Sequence, residues 1–159
     1  VRFLGARLDT VVELARREGV ESFLLVEGHV SRPDALRVQA ESDALLLLGN
    51  DRPQSRGVLT GKVFEYLVSG RPILGVGFSE DSCVATLLEK TGTGMNCGKD
   101  VDRIAGFLVE LVRTGSWHGF KPDVDAIRQY SRAEQAKRLL EVVMEELQRR
   151  TRTPHGRQS

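Results

Sequence analysis

A chain of 159 residues, 40% hydrophobic and 28% charged, has the size and balance of one ordinary globular domain with a full core. Its 23 Lys and Arg against 22 Asp and Glu leave a formal net charge of +1, which gives no field for a nucleic-acid surface. The longest apolar run, Ala44 to Leu48, is far short of a membrane span, and no signal peptide is visible. The chain opens at Val1 without Met and runs straight into an apolar stretch, which reads as a piece cut from a longer protein on its N-terminal side. Cys83 and Cys97 fit neither a metal spacing nor a disulfide framework and read as two free thiols of a cytosolic protein.

Taken in order, VRFLGA predicts a short buried strand ending at Gly5. RLDTVVELARREG has helical spacing, with Gly19 as its stop. SFLLVEG is strand-like and GHV is a loop. SRPDALRVQAES begins with an N-cap candidate, Ser31, and a proline in the first turn. DALLLLG is a continuous apolar run, as expected of a strand covered on both faces. A polar loop, NDRPQSRG, precedes VLTGKVFEYLVSG, read as a helix closed by Gly70. RPILGVG is a strand, SEDSCVATLLEKTG a helix and GMNCG a short strand or extended segment. DVDRIAGFLVELVRTG is amphipathic through Ile104, Phe107, Leu108, Leu111 and Val112. SRAEQAKRLLEVVMEELQRR carries a Ser131…Glu134 capping box and a long helical pattern. Residues 150–159 read as a polar tail after a single domain over 1–149.

Alternating strands and helices imply parallel strands joined by right-handed crossovers, so the expected fold is α/β, one open, doubly wound, Rossmann-like sheet. Ligands of such sheets sit at the carboxyl ends of the strands. The loops to inspect are therefore those after Gly5, Gly28, Gly49 and Gly77.

GVLTGKVFEYLVSG resembles a P-loop at first sight. Gly57 and Gly61 are separated by three residues rather than four, and Val63 occupies the place of the magnesium-binding hydroxyl, so a nucleotide-triphosphate loop is excluded. GARLDT, with one glycine of three, also fails as a dinucleotide fingerprint. The physics of the stretch survives the failed motif. A helix start offers free amides and partial positive charge, and glycines admit an anion close to the backbone. Lys62, Glu65 and Ser69 share one helix face, opposite Phe64, Leu67 and Val68. Lys62 can meet a phosphate, and the acceptor-only Glu65 carboxylate can take two hydroxyl hydrogen bonds. The alternative is a plain surface salt bridge between Lys62 and Glu65.

GKVFEYLVSGRPILGVG resembles the Lys-x-x-Glu-Tyr-Leu…Gly-x-Pro segment of glycosyltransferases built from two Rossmann-like domains, the GT-B architecture of the group 1 type. Gly28-His29-Val30, ESDALLLLGN and LLEKTGTGMNCGKDVDRIAGFLVEL are similar to further segments of that family, in the family's order, and together they span about Val1 to Leu147. The resemblance implies a C-terminal half that binds a nucleoside-diphosphate sugar, with UDP the default nucleotide. The acceptor-binding N-terminal domain would lie outside this chain. It implies no metal and no cofactor beyond the donor substrate, and a cytoplasmic enzyme of polysaccharide or glycolipid synthesis working at the inner membrane face.

Residue by residue, the resemblance places Glu65 on the donor ribose and Lys62 by the diphosphate, the two side chains to which a catalytic part falls. Leu59, Thr60 and Gly61 match the loop and helix start that face the phosphates. Val30, with His29 and Arg32, matches the loop beside the base, and Gly5 the glycine after the first strand. Many retaining members carry a second glutamate eight positions before the ribose-binding one. Here that position is Gly57, which leaves Asp51 as the candidate acidic contact to the sugar. The helix over 131–149 would pack back toward the N-terminal domain. A sugar-nucleotide epimerase half and a non-enzymatic α/β module stay open, although the chain shows no His/Glu cluster for the first and no acidic pair for a receiver-type second. QRRTRTPHGR reads as a solvated tail, with an anionic membrane surface as its alternative partner.

Overall fold

A computed structural model describes residues 1–50 and 52–152. The chain is α/β. Its strands are β1 (Arg2–Leu4), β2 (Leu25–Glu27), β3 (Leu45–Leu48), β4 (Ile73–Val76) and β5 (Gly94–Asn96). Its helices are α1 (Asp9–Arg17), α2 (Arg32–Glu41), α3 (Gly61–Leu67), α4 (Cys83–Thr91), α5 (Val101–Thr114), α6 (Val124–Arg128) and α7 (Arg132–Arg152). Every ladder is parallel, as helical crossovers require.

The strands form two sheets where a single sheet is expected: β1 pairs β2, and β3, β4 and β5 follow one another in the second sheet. The smaller ladder carries three residue pairs, Arg2 with Leu25 through Leu4 with Glu27. It is short because SFLLVEG does not extend throughout: Glu21–Phe23 closes into a single 3-10 turn, and only Leu25–Glu27 is left to pair.

The core belongs to the second sheet. Val63 of α3, Ile73 of β4 and Leu88 of α4 are fully buried, joined by Leu47, Leu67, Val84 and Leu87. On the other side Leu74 and Cys97 pack against Phe107 of α5, with the Trp117 ring tilted at 42° and its centroid 5.2 Å from that of Phe107. Each fully buried aliphatic side chain of this kind contributes about 1.5–3 kcal/mol. Burial also pushes the Cys97 thiol above its ordinary range. β3 is covered less evenly than its apolar run suggests: Leu45 and Leu47 are buried, whereas Leu48 is exposed.

Five of the described helix starts follow local side-chain chemistry. Ser31, Ser82, Asp100 and Asp123 each accept a hydrogen bond from the amide three residues on. The Ser131 hydroxyl accepts from the Glu134 amide at 3.2 Å, the first half of the expected capping box. α3 is shorter than the predicted segment because Val58 and Leu59 lie before its N-cap, Thr60. α7 runs to Arg152, beyond the expected boundary at 149; the rest of the predicted tail lies outside the described residues.

Candidate functional site

The carboxyl ends of β1 and β2 are knitted together first. The Gly5 amide, at φ +139°, donates to the carbonyls of Glu27 and Gly28, both at 3.2 Å. The chain then passes through exposed His29 and half-buried Val30 into α2. There Ser31 caps the Asp34 amide at 3.2 Å, and its own hydroxyl donates to the Asp34 carboxylate at 2.6 Å. Hydrogen bonds from Ser31 and Arg37 hold the Asp34 carboxyl below its usual range. This closed first turn sets Arg32 at the start of α2.

Arg32 reaches across to α3. Its Nη2 donates to Glu65 Oε1 at 3.2 Å, with the Arg32 side chain 76% exposed and that of Glu65 35%. An exposed pair of this kind adds only about 0–1 kcal/mol, so its meaning is geometric. It joins two side chains 33 residues apart, from two different crossover helices. A second link runs from Arg71 Nε to the carbonyl of Ala40 at 2.7 Å, so α2 is tied to the α3–β4 segment at both ends. Beside Glu65, the phenol of Tyr66 is raised above its ordinary range, first by burial and then by the Glu65 charge.

The alternative Lys62–Glu65 bridge is not formed. Lys62 is exposed, and among the described residues the ion-pair partner of Glu65 is Arg32. A lysine preceding a glutamate on a helix is the weaker order for such pairs, whereas Arg32 approaches from another element. The expected apolar face of α3 is also corrected. Val63 is fully buried with Leu67, while Val68 is 74% exposed, because the helix ends at Leu67 and Val68 turns out of the core.

The remaining predicted residues divide. Thr60 and Gly61 begin α3, and no side chain caps its amides. The Leu59 side chain packs against the core and anchors the loop that leads into α3. Asp51 lies outside the described residues. The structure thus brings Gly5, the 28–32 segment and Glu65 into one connected stretch at the strand ends, with Lys62 on the same short helix.

A separate cavity of about 390 Å³ opens at the carboxyl ends of β4 and β5, lined among others by Arg56, Phe78, Lys99 and Arg103. It shares no lining residue with the Arg32–Glu65 stretch. The loop after Gly77 marks its place in the sequence, but Arg56 is far from Lys99 and Arg103 along the chain and joins them only through folding. Acids accompany them: Arg56 pairs with Asp81 at 2.7 Å, and Arg103 faces Glu80 at 3.9 Å.

Among the described residues no group of three or more His, Cys, Asp or Glu side chains could hold a metal ion, and no helix is long and apolar enough to cross a membrane. What the Arg32–Glu65 stretch can do chemically is bind. Among the described residues Glu65 is engaged through Oε1, so its second oxygen can accept from a hydroxyl, and Lys62 supplies a cation one helical turn away. Compared with protein-family models, with curated proteins and with solved structures, the chain matches none.

Proposed function

We propose that this chain is the donor-binding half of a glycosyltransferase, holding a nucleoside-diphosphate sugar at the strand ends around Glu65. The observation that carries the reading is the Arg32–Glu65 contact at 3.2 Å, which unites the segment after β2 with the helix after β3. Those are the two places to which the sequence resemblance assigns the base and the ribose. In this reading Glu65 accepts the ribose hydroxyls, and Lys62 lies toward the diphosphate. Charge grows on the leaving diphosphate as the sugar departs, and a cation beside it lowers the energy of that state. The reading also calls for a single doubly wound sheet, with β1 laid beside β3 in the order 2-1-3-4-5. It gives the exposed apolar residues of α7 a role as well, as the surface that meets an acceptor-binding domain. The enzyme would then work in the cytoplasm on polysaccharide or glycolipid acceptors.

Thermal unfolding with UDP, GDP and ADP tests the proposal. A nucleotide at one hundred times its Kd adds about 2.7 kcal/mol of stability, and no shift with any of the three would reject it. Glu65→Ala should weaken UDP and uridine while sparing inorganic diphosphate, and Lys62→Ala should do the reverse. Equal losses for both ligands in both variants would overturn this division of roles.

A further inference from the structure

Arg32 and Glu65 touch through one nitrogen and one oxygen. A guanidinium carries five donors, and a carboxylate accepts through two oxygens. Among the described residues neither group has another ion-pair or side-chain hydrogen-bond partner, so unused donors lie directly beside an unused acceptor. A ligand offering hydroxyls alone satisfies the carboxylate and competes with the guanidinium for it. A ligand offering hydroxyls and, a few ångströms away, an anionic oxygen satisfies both groups at once, and charge-assisted bonds from guanidinium to phosphate are the strong ones. The Arg32 side chain is mostly exposed, so it can turn from Glu65 to such an oxygen without breaking core packing. Its backbone is held in place by the Ser31–Asp34 turn.

We infer that Arg32 is a specificity-determining residue that selects phosphorylated, hydroxyl-bearing ligands over their neutral counterparts. The inference rests on the reading of Glu65 as the hydroxyl-binding carboxylate. It separates Arg32 from a residue that merely orients Glu65, because orientation would matter equally for neutral and charged ligands.

Titration calorimetry of the full chain with UDP and with uridine tests it. The wild-type chain should prefer UDP. Arg32→Ala should cut the UDP-to-uridine affinity ratio by about tenfold, the scale of one charged hydrogen bond, and leave uridine within about twofold or slightly tighter. Arg32→Lys keeps the charge and should restore the ratio to within about threefold of wild type. An equal loss for both ligands in Arg32→Ala, or an unchanged ratio, overturns the role of Arg32 while leaving the donor-site reading intact. Absence of UDP binding to the wild-type chain overturns both.

Discussion

Two glycines illustrate how the same residue type answers to different physics. Gly57, where many relatives of the resembled family carry a glutamate, lies in an exposed turn, and a Cβ there would meet nothing within 4 Å. Gly57→Glu should therefore fold normally, with stability within about 0.5 kcal/mol of wild type by urea unfolding. Gly92 is the opposite case. It ends α4 at φ +61°, and a Cβ would run into the carbonyl oxygen of Lys121, whose own amide donates to the Gly92 carbonyl at 2.9 Å. Left-handed backbone and a backbone clash combine, so Gly92→Ala should cost about 3 kcal/mol or more, and a loss below 1 kcal/mol would refute the clash. The stop at Gly92 was legible from the sequence as a helix end. The docking of Lys121 was not, because nothing local announces a contact made 29 residues later.

At the scale of elements, the pattern of the sequence located six of the seven described helices and all five strands within a few residues. Side-chain caps at Ser31 and Ser131 were readable because the capping residue and its amide lie three positions apart. α6 was missed, since Val124–Arg128 is five residues long and completes no amphipathic repeat. The candidate site was half legible. Glu65 and Arg32 could each be named, but their contact depends on how two crossover helices settle over different strands. α7 has an apolar pattern that predicts burial, yet Leu139, Leu140, Val143, Met144 and Leu147 are all exposed. Leu140, 60% exposed, should accordingly tolerate Leu140→Ala within about 0.5 kcal/mol, aided by alanine's helix propensity. Leu88, fully buried in the main cluster, should lose about 2–5 kcal/mol on the same change. Comparable losses at the two positions, read from urea midpoints, would mean that α7 packs on something in solution.

Across the whole molecule, stability is unevenly spread. Of the buried apolar residues, Ala15 alone precedes Leu45; the rest belong to the β3–β5 sheet and the helices around it. β1 and β2 form a three-residue ladder beside exposed Phe23 and Leu25. Regions with few buried contacts open at lower free energy than the global unfolding. Amide exchange should thus be at least about tenfold faster at Leu25 and Gly5 than at Ile73 and Cys97, whose amides bond within the larger sheet at 2.9 and 2.8 Å. Equal protection would show the two sheets to be one cooperative unit. α2 bridges them through polar contacts, Arg32 to Glu65 and Arg71 to the Ala40 carbonyl, rather than through a shared core. A ligand that engages both Glu65 and Arg32 therefore adds the coupling that packing does not supply. Saturating UDP should slow exchange over β2 and the first turn of α2 more than over β4 and β5. If it instead slows exchange around Phe78 and Arg103, the nucleotide is seated in the β4–β5 cavity and not beside Glu65.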